Sequence, residues 1–362
     1  LIKQIQLAGD HYAMGHQHGR QVSELQPFLA AAMENRLAAL EKLDSDLNCY
    51  ISEQLELWQA AARPTLDMLR GMGDALGLPG PRFFKYTIAS YLADRARGSS
   101  SVGQGCTVWG AAGPVTVGAE PLLAKNRDYW LDHRQLQCLA SAHPRQGYRY
   151  QYLTSAGSPG VFSAGMNEAG LAVADTHVAS LDIGPGLPRY ALMMEILERH
   201  AHVKSALDYL SAASHVGNGT LALIDAAGDM AVFETGHSHP GIVLPEAGYV
   251  VTTNHYVTPH LRDQWIEHEP PGLQGNSQAR YNRVRQALQG ARGWVDLAWA
   301  QALMISHRGP LDSICRHPEI EPHSGTIASL IFCPQEKTIY LADGLPCQTA
   351  YRAYQLAEPV NH

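Results

Sequence analysis

The pattern of this chain changes period at one place. Between Val22 and about Arg97, apolar residues recur three and four positions apart; beyond the small-residue loop RGSSSVGQG they alternate or run in short stretches between turns. The first pattern is that of amphipathic helices, the second that of half-buried strands. Three helical segments are read in the first part: VSELQPFLAAAMENRLAALEKL, EQLELWQAAARPTLDMLRGMGDAL and PRFFKYTIASYLADRA, the last with Pro81 in its opening turn. Residues 1–105 are expected to be mainly helical, and residue 105 is the main boundary.

Past it, CTVWGAAG, VTVGAEPLLAKNRDY, QLQCLASAH, YRYQYLTSA and VFSAGMNEAGLAVADTHV read as strands of one or two antiparallel sheets, with NEAG at 167–170 as a hairpin turn. Two helices follow (RYALMMEILERH, HVKSALDYLSAA), then strands in GTLALIDAAGDMAVFET and GYVVTTNHY. A polar loop from His268 to Asn276, two more helices (SQARYNRVRQAL, WVDLAWAQALM) and a last hairpin, GTIASLIFCPQEKTIYLADG, complete the chain. This order suits an α+β fold with helices on the outer faces of stacked antiparallel sheets. A chain of 362 residues can bury a large core without a disulfide or metal staple. Its 27 basic residues are scattered and outnumbered by 34 acidic ones, which argues against a nucleic-acid partner. No run approaches the roughly 18 apolar residues of a membrane span, and LIKQIQLAGD lacks the order of a secretory signal. Six cysteines without a C-x-x-C pair suggest free thiols. The expected location is cytoplasmic, with targeting left open because the chain starts at Leu1 rather than Met.

The dipeptide Gly105-Cys106 sets a nucleophile-type side chain at the first position of a strand, directly after a flexible loop. In that geometry a thiol can attack the preceding carbonyl, form a thioester by N-to-S shift, and be hydrolysed to leave cysteine as a new amino terminus. Gly105 adds no Cβ to crowd the attack. The freed α-amino group, with an ordinary pKa of about 7.7–8.0 against about 8.5 for the thiol, can then act as base for its own side chain. A single buried cysteine is more commonly a small core hydrophobe. Downstream, LLAKNRDY ends an apolar strand in Lys125, Asn126, Arg127 and Asp128. On a strand paired with the one starting at Cys106, this end could aim a carboxylate at an amino terminus, although a strand-end turn with solvated charges has the same composition.

The run GCTVW…LLAKNRDYW resembles the penicillin acyltransferase-like branch of the N-terminal nucleophile hydrolases. YAMGHQHGRQ, VFSAGMNEAGLAV, VTTNHY, NSQARYNRV, SICRHPE and the final GTIASLIFCPQEKTIYLADGLPC extend the likeness from about residue 10 to 347. The resemblance implies a precursor that cuts itself between Gly105 and Cys106 into a helical prosegment and a catalytic chain (106–362), folded together as a four-layer αββα sandwich. It implies hydrolysis of an N-acyl amide, or acyl transfer to an amine, through a Cys106 thioester. Carried over, Cys106 is similar to the nucleophile, Asp128 to the carboxylate that orients its amino group, and Asn254 to the amide that donates to the oxyanion. Lys125 stands where related bile-acid amide hydrolases often have arginine. Arg280 and Arg316 both fit a second site arginine, and spacing does not choose between them. Asn126, Arg127, Thr107, Trp109 and His255 are further candidates for site support. The implied partners are a small-molecule N-acyl amide or acyl donor and the chain's own cleaved N-terminal part, held as a heterodimer, with homo-oligomerisation left open; no cofactor is implied.

Other readings compete with this one. Eighteen histidines invite a metal, with His16 and His18, His237 and His239, or His307, Cys315, His317 and His323 as donors. None has H-E-x-x-H spacing or a C-x-x-C partner, so no metal is expected. His16 and His18 are instead expected to pack near the site. A papain-like thiol hydrolase would use His255 or His177 as base and leave the chain uncut; a non-catalytic binding protein on the same scaffold would also stay whole. Arg280, with Arg283 and Arg285, reads as part of a solvated basic helix face. Trp109, Tyr129 and Trp130 are candidates for a pocket wall, against a place in the core or rim.

Overall fold

The computed structural model describes residues 2–42, 47–96, 105–267, 269, 271–318 and 323–356. Most of the small-residue loop, at 97–104, lies outside the described residues, as do His268 and Pro270 of the polar loop and Glu319 at the end of SICRHPE.

The N-terminal part forms β1 (Lys3–Gly9), then α1 (His11–Gln21), α2 (Gln26–Glu41), α3 (Asn48–Ala61), α4 (Arg63–Leu76), α5 (Gly80–Thr87) and α6 (Ala89–Arg95). The second expected helix is two, because Pro64 sits in the first turn of α4 and cannot continue α3. The third is likewise two, divided at Ile88. After the boundary come β2 (Gly105–Ala111), β3 (Leu122–Trp130), β4 (Gln137–Pro144), β5 (Tyr150–Ser155), β6 (Ala164–Asn167) and β7 (Ala172–His177). Then follow α7 (Arg189–Arg199), α8 (Val203–Ala212), β8 (Gly219–Ile224), β9 (Met230–Thr235), β10 (Gly241–Val243) and β11 (Tyr249–Thr252). The chain closes with α9 (Pro259–Arg262), α10 (Asn276–Gly290), α11 (Leu297–Met304), β12 (Ser324–Cys333), β13 (Thr338–Ala342) and β14 (Arg352–Gln355).

The strands make two sheets, ordered β1-β4-β5-β6-β7-β8-β9-β10 and β11-β2-β3-β12-β13-β14. Because side chains alternate across a strand, each sheet buries both faces, and among the described residues three large cores form beside a small cluster of Val178, Tyr256 and Leu261. Leu123, Leu153, Ala222, Leu330 and Phe332 fill the space between the sheets. Tyr150, Tyr152, Leu221 and Phe233 face outward from the larger sheet onto Trp58, Phe84, Tyr190 and Met194 of the helical layer. Trp109, Ala124 and Ile331 face outward from the smaller sheet onto Val284, Leu288 and Ala300 of α10 and α11. The fold is an αββα sandwich.

The N-terminal part is mainly helical but also supplies one strand to the larger sheet, which is therefore not wholly antiparallel: β1 runs parallel to β4 in register from Lys3↔Cys138 to Gly9↔Pro144. Its alternation is present in the sequence, with buried Ile5 and Leu7 set between exposed Gln4, Gln6 and Ala8. The segment YAMGHQHGRQ also has a structural account. A Cβ on Gly15 would lie 2.0 Å from the Met68 carbonyl oxygen, and one on Gly71 would lie 2.1 Å from that of Tyr12. These glycines let α1 and α4 meet backbone to backbone.

Candidate active site

Strand parity decides what each side chain near the boundary can reach. β2 and β3 pair antiparallel, with Gly105 opposite Asp128, Cys106 opposite Arg127 and Thr107 opposite Asn126. Cys106 therefore shares the inter-sheet face with Lys125 and Arg127, while Thr107, Trp109, Asn126 and Asp128 belong to the other face.

On the inter-sheet side Cys106 lines a cavity of about 60 Å³ with Lys125, Arg127, Tyr129, Asp175, His177 and Arg189, roofed by Arg36, Ser90 and Tyr91 of the N-terminal part. The Lys125 ammonium donates to Asp175 Oδ1 (2.5 Å) and to the carbonyls of Asp175 (2.7 Å) and Ser163 (3.0 Å). Arg189 Nε donates to Asp175 Oδ2 at 3.0 Å. Burial pushes the Asp175 carboxyl up, but these two cations outweigh it and hold the group below the ordinary carboxylate range. Arg127 bonds Gln137 Oε1 (3.2 Å) and Ser155 Oγ (3.1 Å), and burial pulls its guanidinium down to about 10. Burial raises the Cys106 thiol; Lys125 opposes this without cancelling it. The nucleophile candidate is thus held as a thiol in this cavity.

On the other side the backbone of Cys106 is clamped. Its N–H donates to Asn254 Oδ1 (3.0 Å), and its carbonyl accepts from Arg280 Nη1 (2.6 Å). Arg280 also donates to Thr107 Oγ1 (2.9 Å), Asn254 Oδ1 (2.8 Å) and Asn276 Oδ1 (2.8 Å). Asn254 directs Nδ2 to the His177 carbonyl at 2.8 Å, which engages one of its two amide hydrogens. Asp128 Oδ1 accepts from Thr326 Oγ1 at 2.6 Å, next to the register shift between Thr326 and Ala328 in β12. Its Oδ2 is buried with no hydrogen-bond partner among the described residues, and it lies 3.1 Å from where a Cβ on Gly105 would stand. Burial pushes the Asp128 carboxyl up, against the pull of Arg316, Arg280 and Thr326.

Several expectations change. Arg280 is fully buried, not on a solvated face, because it shares the inward stripe of α10 with Val284 and Leu288. Arg283 bonds the Asp312 carbonyl and Ser306, and Arg285 pairs with Glu246. Both arginines left open by spacing reach the site, since Arg316 Nη1 lies 2.3 Å from the Cβ position of Gly105. Trp109 is no pocket wall: parity turns it into the outer core, where it bonds Met304 Sδ (3.2 Å) and packs edge-on against Trp299. Asn126 is turned the same way and donates to the carbonyls of Met304 and Ile314. His255 is held by Ser277 Oγ (2.8 Å) and Thr253 Oγ1 (3.1 Å), is lowered by burial to about 4, and does not line the cavity of Cys106. Neither do His16 and His18; His18 is buried in α1. Asp175 and Arg189 were not anticipated. A buried Lys125 requires a counter-charge, but the sequence does not say which carboxylate supplies it.

The family model described as acyl-coenzyme A:6-aminopenicillanic acid acyl-transferase matches residues 116–347, well over half of the chain. The chain belongs to this family. The match includes Lys125, Asp128, Asn254, Arg280 and Arg316 and begins past Cys106. Membership places the chain in a family named for transfer of an acyl group. No curated protein matches the chain.

Among solved structures, a variant of conjugated bile acid hydrolase from Clostridium perfringens is 15% identical with a TM-score of 0.45, over 71% of this chain and 99% of that one. The Caenorhabditis elegans ortholog of N-acylethanolamine-hydrolyzing acid amidase is 14% identical (TM-score 0.45, 64% and 93%). Penicillin V acylase from Agrobacterium tumefaciens is 18% identical (TM-score 0.43, 69% and 86%). Likenesses this distant assign no role to any residue here.

Proposed function

We propose that this chain is the precursor of a self-processing N-terminal cysteine amidohydrolase or acyltransferase. Processing begins when the Cys106 sulfur adds to the Gly105 carbonyl carbon. The C–N bond breaks, the nitrogen takes a proton, and a thioester remains. Water hydrolyses it, leaving a Gly105 carboxylate and a free thiol. The observation that carries this reading is the contrast around one residue. Both backbone groups of Cys106 are held by Asn254 and Arg280, while a buried oxygen of Asp128 beside Gly105 has no partner. An unpartnered buried carboxylate oxygen is costly, and the new ammonium of Cys106 would satisfy it.

In the mature enzyme the α-amino group takes the proton of the Cys106 thiol as sulfur attacks a substrate acyl carbon. The tetrahedral anion is held by the second Nδ2 hydrogen of Asn254 and a backbone N–H. Collapse expels the amine, protonated by the Cys106 ammonium, and leaves a thioester that water or an acceptor amine discharges. Asp128 orients the ammonium, and Lys125, fixed by Asp175, supplies positive charge on the thiol side. A cavity of about 60 Å³ is far below the several hundred of a ligand site, so an N-acyl substrate would need more room than this cavity gives.

The test is a panel of N-acyl amino acids, N-acyl amines, penicillins and β-alanyl amines, with acid-quenched protein weighed by mass spectrometry. The reading expects an acyl adduct on the chain that starts at Cys106, absent in Cys106→Ala. Turnover that survives Cys106→Ala would refute it.

A further inference from the structure

We propose that His307, His317 and Cys347, with Cys315 as fourth donor, form a binding site for a zinc-class divalent cation. His307, Cys315 and His317 lie on the segment that follows α11, and Cys347 lies beyond β13, more than 25 residues on in sequence. The fold nevertheless brings donor atoms of His307, His317 and Cys347 to within 4.8 Å of one another. His317 Nε2 stands 3.2 Å from Cys347 Sγ, and Cys315 Sγ stands 3.7 Å from the same sulfur. The two imidazole rings have centroids 5.0 Å apart.

These spacings are close to the edges of a small tetrahedron. Zinc bonds of about 2.3 Å to sulfur and 2.0–2.1 Å to nitrogen put sulfurs about 3.8 Å apart and sulfur about 3.5 Å from nitrogen. Two imidazoles and two sulfurs, with no carboxylate among them, are a donor set that suits zinc rather than magnesium or calcium. Exposed His307 gives the ion a way in, and buried Cys315 closes the far side. Binding would release the two thiol protons.

The ion would act as a brace. Arg316 lies between two of the donors, and its guanidinium lies against Gly105. A metal at this position ties the segment carrying Arg316 to the loop after β13, next to the catalytic centre but outside it. The inference does not rest on the self-processing reading, so it is tested on the full-length Cys106→Ala chain, where neither processing nor the nucleophilic thiol enters.

That chain, reduced and dialysed against metal-free buffer, is titrated with cobalt(II) and then with zinc. The expected result is one ion per chain, intense visible bands of tetrahedral cobalt with a thiolate charge-transfer band in the near ultraviolet, and displacement by zinc. His307→Asn changes an exposed residue that folding does not need, and it should weaken binding; Cys347→Ser should abolish the bands. Zinc should raise the melting temperature of the Cys106→Ala chain and not of its Cys347→Ser derivative. Three results would overturn the site: no bound ion, a cobalt spectrum indifferent to both substitutions, or a Cys315–Cys347 disulfide that survives mild reduction.

Discussion

At the scale of single residues, the candidate site depends on which face of a strand each side chain takes. The cluster Lys125 to Asp128 is legible in sequence as a group of polar side chains ending an apolar strand. Pairing with β2 divides it into Lys125 and Arg127 toward the thiol, and Asn126 and Asp128 toward the clamp. Trp109, an odd number of positions from Cys106, could have been removed from the pocket by the same parity. The role of Arg280 was hidden because its neighbours Arg283 and Arg285 carry the same charge, and only the partners of α10 distinguish it. Replacing Arg280 by Met in a Cys106→Ala background would remove its hydrogen bonds to four acceptors, of which Asn254 Oδ1 keeps the residue 106 N–H, and the loss in urea unfolding is expected to be at least about 2 kcal/mol. Asp128 gives a pH signature. Its carboxyl titrates above its ordinary range in the fold, so the folded state favours the neutral form and loses stability as pH rises through that raised value. In the same background Asp128→Asn should raise the melting temperature at pH 8, with the gain vanishing below about pH 3.9, where both states are protonated. A gain that persists at low pH would contradict this account.

At the scale of elements, hairpins were the most legible. NEAG turns β6 into β7 with Gly170 at φ +86°, and AAGD turns β8 into β9 with Gly228 at φ +90°. Helix breaks were less so, since an amphipathic pattern runs on through Pro64 while the backbone does not. β1 was missed because seven residues of alternation before a long helical stretch are a weak signal, and parallel pairing to β4 leaves no local mark. The contact of α1 with α4 predicts opposite outcomes for two glycines two positions apart. Gly71→Ala should destabilise by about 1–3 kcal/mol through a backbone clash with Tyr12. Gly73→Ala meets its nearest neighbour at 3.5 Å and should be neutral or stabilising by up to about 1 kcal/mol. Thermal melts of both variants decide the matter.

At the scale of the whole molecule, the N-terminal part is built into the fold. It supplies an edge strand, shares the outer core of the larger sheet, and sends Gln54, Tyr50 and Asp94 to Gly186, Gly184 and Asn218. The break in pattern near residue 105 is legible in sequence; that β1 is stitched into the sheet across that break is not. Cutting the chain between Gly105 and Cys106 should therefore leave the two parts associated, co-eluting under native conditions and separating only in denaturant. No helix among the described residues is long and apolar enough to cross a membrane. The central claim is that Cys106 frees its own amino group, and denaturing mass spectrometry of the purified full-length protein tests it most directly. The account predicts two chains, residues 1–105 and 106–362, from the wild type and one intact chain from Cys106→Ala; a single uncut mass from fully active wild-type enzyme would contradict it.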